Sequence, residues 1–237
     1  MQCTYCATEN RCRSMDLSEA LALLDHLAEQ NVRNVVFGGG EPLTWAGDIT
    51  TLCAAAQRKG FFVQLGTNGI LLPHFLPILQ HCDRIVLPLD AAEAVKHDTL
   101  RRFRESHFAL MEDLLERLRR EQKEITISTV VCRYNLPALP GLATYLQKYV
   151  ERGGRLHAWH LYRFLPIGRG GRRSAKDLGI SQREYHHVCN HVRKTITAFR
   201  VYKRPDMFQS RTVCFFWRER DGLHSLLPDH QRTPQEC

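Results

Sequence analysis

Short apolar runs alternate along this chain with segments of helical spacing, and that alternation most narrows what it can fold into. The runs at 31–37, 61–65, 84–90, 124–131 and 156–164 are rich in β-branched and aromatic residues and close on glycine, asparagine or aspartate. Between them lie predicted helices. The first follows Asp16, with Glu19 three residues on as its capping partner, and carries Leu17, Ala20, Leu21, Leu24 and Leu27 on one face. Others are predicted over 48–60, 73–81 and 137–149. Phe108, Met111, Leu115 and Leu118 mark a longer one over 107–121 with a basic outer face. Strands separated by helices with short links form a parallel sheet wrapped by helices, and five such strands are counted. After the last, 168–173 is expected to be a flexible basic loop, 181–198 a helix, and 212–217 a strand that turns at Asp221 and Gly222.

At 237 residues the chain can bury a sizeable core as one domain. No run of roughly 18 apolar residues is present, so no membrane span is expected, and the start lacks the basic and apolar segments of a secretory signal. The expected location is the cytoplasm. Cys53, Cys82, Cys132, Cys189, Cys214 and Cys237 are scattered singly and read as reduced, mostly buried thiols. The net charge of +8 attracts anions at long range, whether nucleotide, nucleic acid or acidic peptide, and selects none of them.

Two stretches carry chemistry. Cys3-Thr4-Tyr5-Cys6 offers two thiols at a spacing suited to one metal centre. Val35-Val36-Phe37-Gly38-Gly39-Gly40-Glu41 is a strand that ends in bare backbone and a carboxylate, so a ligand can lie against it. Together they resemble the radical S-adenosylmethionine (SAM) enzymes, whose C-x-x-x-C-x-aromatic-C motif is followed some thirty-odd residues later by a strand ending in G-G-E. Cys3-Thr4-Tyr5-Cys6 matches the second half of the cysteine motif. The first cysteine of that pattern falls one or two residues before Met1, and Cys12 does not fit its spacing.

The resemblance implies an α/β fold, a partial (βα)6 TIM-like barrel of the radical SAM type with its first strand missing and a short C-terminal extension. The core barrel is expected over 1–171 and the extension, packed on it, over 172–237. It implies a 4Fe-4S cluster held in part by Cys3 and Cys6, and SAM bound to the iron that carries no thiolate. Tyr5 is expected near the cluster and adenine, and Gly39, Gly40 and Glu41 around the methionine end of SAM. Thr67 and Asn68 match a T-N-G that lines the cavity. Asp90 matches a strand-end aspartate that accepts from a SAM hydroxyl or amine. Ser128 or Asn135 is expected to touch the ribose or the methionine carboxylate, with core packing and a helix cap as the competing account of the stretch. All these positions fall at strand C-termini, where parallel barrels gather their ligands.

Phe164-Leu165-Pro166-Ile167-Gly168-Arg169-Gly170 looks like the P-x-G-R-G loop of some peptide-, haem- and nucleotide-modifying members. Arg169 and Arg172 there are candidates for binding a substrate carboxylate or phosphate. The function implied is reductive cleavage of SAM to a 5′-deoxyadenosyl radical that acts on an unidentified substrate, with an anion such as a nucleotide or peptide expected. The implied electron donor is a reductase such as flavodoxin or ferredoxin. A catalytically incomplete barrel that binds SAM or a partner is the alternative. A small zinc-binding nucleic-acid protein leaves the Gly-Gly-Glu strand unexplained.

Overall fold

The computed structural model describes residues 1–8, 12–210 and 212–227. Helix α1 (Leu17–Glu29) opens on the expected capping box: the Asp16 carboxylate accepts from the Glu19 amide, and the Glu19 side chain accepts from the Asp16 amide. Strand β1 (Asn34–Phe37), α2 (Ile49–Arg58), β2 (Phe62–Gly66) and β3 (Arg84–Pro88) follow. Then come α3 (Ala94–Arg101), α4 (His107–Arg120), β4 (Glu124–Val131), α5 (Leu139–Glu151) and β5 (Leu156–Arg163). Two single turns, α6 (Gly168–Gly171) and α7 (Ala175–Leu178), lead to α8 (Gln182–Thr195), β6 (Arg200–Arg204) and the hairpin β7 (Phe215–Arg218) and β8 (Leu223–Leu226).

β1 to β6 pair in chain order, every pair parallel. This curled six-stranded sheet with its helices is the partial (βα)6 barrel expected from the sequence. The strand count is corrected from five to six, because β6 continues the sheet beyond residue 171. The 73–81 segment is also corrected. Instead of one α-helix it forms two 3₁₀ segments, Leu72–His74 and Leu76–His81, each with a proline in its first turn.

Side chains alternate across each strand. Val63, Leu65, Ile85, Leu87, Ile125, Ile127, Trp159 and Leu161 point outward and are sealed under α1, α2, α4, α5 and α8 by residues such as Leu24, Leu52, Met111, Leu142 and Tyr185. The opposite, concave face carries Gln64, Arg84, Glu124, Thr126, Ser128, Val130, His160, Tyr162, Tyr202 and Arg204. Its lower end is closed by Arg84, which donates to Glu124 (2.6 Å) and Gln64 (3.2 Å) and lies over the Phe62 ring. Its upper end, at the strand C-termini, meets the cysteine loop.

The expected thiols are free. Cys53, Cys82, Cys132 and Cys189 are buried and Cys214 is exposed, while Cys237 lies outside the described residues. Among the described residues, no helix is long and apolar enough to cross a membrane.

Candidate functional site

The cysteine loop is a tight turn, with the Cys6 amide donating to the Cys3 carbonyl at 3.2 Å. Two supports hold it over the strand ends. From one side, the Thr4 amide donates to the Leu100 carbonyl (2.9 Å), and Tyr5 packs with Cys3, Leu100, Val130, Cys132, Phe164 and Leu178. From the other side comes the α6 turn. Its Gly170 amide donates to the Cys6 carbonyl (3.0 Å) and its Arg169 amide to the Thr8 carbonyl (3.2 Å). The 168–173 segment was expected to be a flexible loop and is instead a helical turn pressed onto the thiol loop. A Cβ on Gly168 would meet Ala7 backbone at 2.3 Å, and one on Gly170 would meet the Cys6 nitrogen at 2.5 Å and the Cys3 oxygen at 2.6 Å. Gly168 also has a φ of +67°, so only glycine fits this approach without strain.

Both thiols lie beside guanidinium groups. Burial pushes Cys6 up, but hydrogen bonds from the Thr8 amide, Arg169 and the Thr8 hydroxyl outweigh it and hold the thiol below its ordinary value. Arg169, expected to meet substrate, is therefore placed at Cys6. Cys3 is pushed up, chiefly by burial, although Arg101 Nη1 stands 3.9 Å from its sulfur.

Asp90 is the hub beneath the loop. It is fully buried, and every polar atom it has is engaged. Its carboxylate accepts from the Tyr5 hydroxyl, from Arg101 Nε (2.7 Å) and from the Val130 amide (3.1 Å). Burial pushes this carboxyl up, but the adjacent Arg101 charge, with His97 and Tyr5, more than offsets it and keeps the group ionised. The Asp90 carbonyl accepts from Asn135 Nδ2 (2.9 Å), whose amide also donates to the Val130 carbonyl and accepts from the Cys132 amide. Asp90 and Asn135 were expected to touch SAM. In the structure both are buried and their polar atoms pair with protein groups.

From Asp90 a chain of hydrogen bonds runs to the Gly-Gly-Glu strand end. The Asp90 amide donates to His97 Nδ1 (3.1 Å), so His97 must donate from Nε2 to His107 Nδ1 (2.6 Å). His107 Nε2 then donates to the Asn68 carbonyl (2.8 Å), and the Asn68 amide donates to Glu41 Oε2 (2.6 Å). Both imidazoles are neutral in this chain, and burial pushes His107 down and His97 down to about 3. Glu41 Oε1 accepts from the Thr67 hydroxyl (2.6 Å) and the Leu43 amide (3.2 Å). A carboxylate has about four acceptor positions, and Glu41 uses three of them while remaining half-buried at the rim. Above it, a Cβ on Gly38, Gly39 or Gly40 would meet nothing within 4 Å, and the φ of +114° at Gly39 demands glycine. Ser128 faces the concave side and makes one long contact, 3.4 Å to the Leu87 carbonyl. Arg172 is exposed on the turn that presses on the cysteine loop.

The structure thus joins Cys3, Tyr5, Asp90, Asn135, Asn68, Thr67 and Glu41 in one network. Sequence reasoning missed three members: Arg101, His97 and His107. The i,i+4 spacing of His97 and Arg101 was the only available signal.

A family model described as the radical SAM superfamily matches residues 1–142 of this chain. The chain belongs to that superfamily. Among curated radical SAM proteins, the AdoMet-dependent heme synthase of Oleidesulfovibrio alaskensis is 28% identical over 200 residues, 80% of this chain and 48% of the relative. The GTP 3′,8-cyclase of Chlorobaculum tepidum is 31% identical over 124 residues, 50% of this chain and 37% of the relative. The chain therefore spans about half or less of the length of these relatives. Streptococcus suis SuiB bound to S-adenosylmethionine shares the fold, with a TM-score of 0.68 at 14% identity over 86% of this chain and 47% of SuiB.

Proposed function

We propose that this chain is a radical SAM enzyme whose cysteine loop holds a 4Fe-4S cluster and whose Gly-Gly-Glu strand end holds SAM. One observation supports this above the others: a continuous run of contacts links Cys3 to Glu41 through Arg101, Asp90, His97, His107 and Asn68. The donor set suits the group in kind. Cys3 and Cys6 supply two thiolates next to the guanidinium groups of Arg101 and Arg169, and a cluster with one open iron takes three. The third is the cysteine that the family pattern places just before Met1.

When bound, such a cluster supplies the electron that splits SAM into methionine and a 5′-deoxyadenosyl radical. The chain's own residues do the rest. Gly38 to Gly40 leave the backbone bare for the methionine end, and the remaining acceptor position of Glu41 suits its ammonium group. Tyr5 shields the thiol loop from beneath, and the Asn68 side chain stands at the rim for ribose or adenine. The substrate belongs among anions such as peptides or nucleotides. The heme synthase, GTP cyclase and peptide-bound SuiB relatives fit that range. The setting proposed is the cytoplasm, with a flavodoxin or ferredoxin as electron donor.

The test is anaerobic reconstitution with iron and sulfide of this chain and of a version extended upstream to include the expected cysteine. Each is then assayed with SAM and dithionite for 5′-deoxyadenosine. The extended chain should bind about four irons and cleave SAM. Failure of both versions to assemble a cluster would leave the incomplete, ligand-binding barrel as the reading.

A further inference from the structure

On the concave face, away from the thiol loop, a second group of polar residues keeps its hydrogen-bonding capacity unspent. Register aligns Ser128 with His160 and Tyr202, and one layer higher Val130 with Tyr162 and Arg204. Val130 packs against the cluster of Tyr5 and Cys3, so Tyr162 and Arg204 lie one and two strands from the radical-generating rim, at roughly 5 and 10 Å. The Arg204 guanidinium lies 5.5 Å from the Tyr202 ring centroid, and the His160 ring stands edge-on to the same ring at 5.2 Å. His160 Nδ1 is 3.4 Å from the Tyr162 hydroxyl.

The charges in this group do not balance. Among the described residues, Arg84 and Arg101 each have a carboxylate, Glu124 and Asp90, whereas Arg204 and, two layers down its strand, the exposed Arg200 have none. Beside Arg204 stand two phenols and an imidazole that burial and Arg204 hold neutral, pushed down to about 4. The backbone under Arg204 is fixed, since its amide donates to the Tyr185 hydroxyl (2.7 Å), which itself donates to the Leu161 carbonyl. Deeper on the same face, Thr126 is 2% exposed and its hydroxyl has no partner. Ala158 and Arg200 align with it in register, and the Arg84–Glu124 pair closes the bottom. A half-buried cation with no anion among the described residues is a cost that a ligand removes.

We infer that the β4–β6 part of the concave face is a substrate subsite for a carboxylate on a flat unsaturated ring. Arg204 and Tyr162 take the carboxylate, and His160 and Tyr202 flank the ring. A single planar fork matches the two oxygens of one carboxylate, whereas a phosphate dianion calls for more cations than Arg204 alone. The assignment of this ligand as substrate rests on the radical SAM reading. Whether it binds does not.

The test uses the full chain as purified, in a buffer free of carboxylate and phosphate, with benzoate, benzamide and phenyl phosphate as probes in saturation-transfer NMR. Benzoate should bind better than both others. Arg204→Met should weaken it by at least about tenfold and Arg204→Lys by less, with circular dichroism and melting unchanged. Arg193→Met, an exposed site on the outer helix α8, should have no effect. Equal binding of benzoate and benzamide, or benzoate binding untouched by Arg204→Met, overturns the subsite. Formation of 5′-deoxyadenosine by the reconstituted, extended chain is measured alongside. If SAM is not cleaved while benzoate is still discriminated, the subsite stands and the radical reading falls.

Discussion

Two polar regions of one barrel use their residues in opposite ways. At the rim, Asp90, Asn135, Thr67 and the two histidines are buried with their polar atoms paired to each other or to backbone. On the β4–β6 face, Arg204 has a ring and, among the described residues, no carboxylate. Saturated polar residues position a site, because every lone pair already has a fixed use. Unsaturated ones are what a ligand can bind. The contrast divides residues that sequence motifs group together: Asp90 belongs to the scaffold, while Glu41, with one acceptor position left at the rim, spans both roles.

The sharpest way to break this comparison is at Asp90. Asp90→Asn removes the charge opposite a guanidinium that is itself buried, and should cost about 3–5 kcal/mol in urea unfolding. Adding Arg101→Met to that variant should restore much of the loss, because the uncompensated cation is then gone. A loss under 1 kcal/mol, or no recovery in the double variant, would mean that the rim tolerates ligand-like freedom. Next in size is Gly170→Ala. Its methyl would lie 2.5 Å from the Cys6 nitrogen, so the thiol loop must shift at a cost of about 1–3 kcal/mol. Iron content after reconstitution should fall with it, whereas Gly141→Ala, which meets nothing, should keep both.

How far the sequence reached follows the same division. β4 lies at 124–131, as its alternation predicts, and the Asp16–Glu19 box starts α1, because both signals are local. The helix α3 escaped notice. Its buried residues His97, Leu100 and Arg101 include two polar ones, which look like a solvent-facing surface until Asp90 and Tyr5 arrive from elsewhere. β6 reads Arg-Val-Tyr-Lys-Arg, with only Val201 fully covered, and it is a strand because β5 offers it a ladder. The glycines of 168–171 resemble those of a mobile loop, since nothing local tells close packing from flexibility. Gly39 to Glu41, Thr67, Asn68 and Asp90 follow the ends of β1, β2 and β3. Their division into supports and ligand groups depends on hydrogen bonds that only the folded chain displays.

Acid tests the histidine link. His97 is neutral when folded, with its value near 3, and titrates near 6.5 when unfolded. Above 6.5 neither state takes a proton and the link keeps its full stability. As pH falls below 6.5 the unfolded state alone is protonated, so stability should drop by about 1.4 kcal/mol per pH unit until the folded value is reached. His107 is shifted in the same direction and steepens the fall. Urea midpoints at pH 7 and 5.5 measure it, and His97→Asn should flatten the profile. An unchanged midpoint in the native protein would show that the imidazoles are open to water.

The concave face should answer in the reverse sense. Thr126→Val replaces an unpartnered buried hydroxyl by a methyl of similar shape and should raise stability by about 1 kcal/mol. The same change should leave benzoate binding unchanged, because the buried hydroxyl is out of a ligand's reach.

Arg204→Met is the smallest expected change in stability, within about 0.5 kcal/mol, because among the described residues the side chain it removes stacks on Tyr202 and has no carboxylate partner. A residue that anchors a substrate and little else shows this pairing of a neutral fold with lost binding. If Arg204→Met instead destabilises the chain by 2 kcal/mol or more, the guanidinium belongs to the scaffold as Arg101 does, and the two faces of the site are built alike.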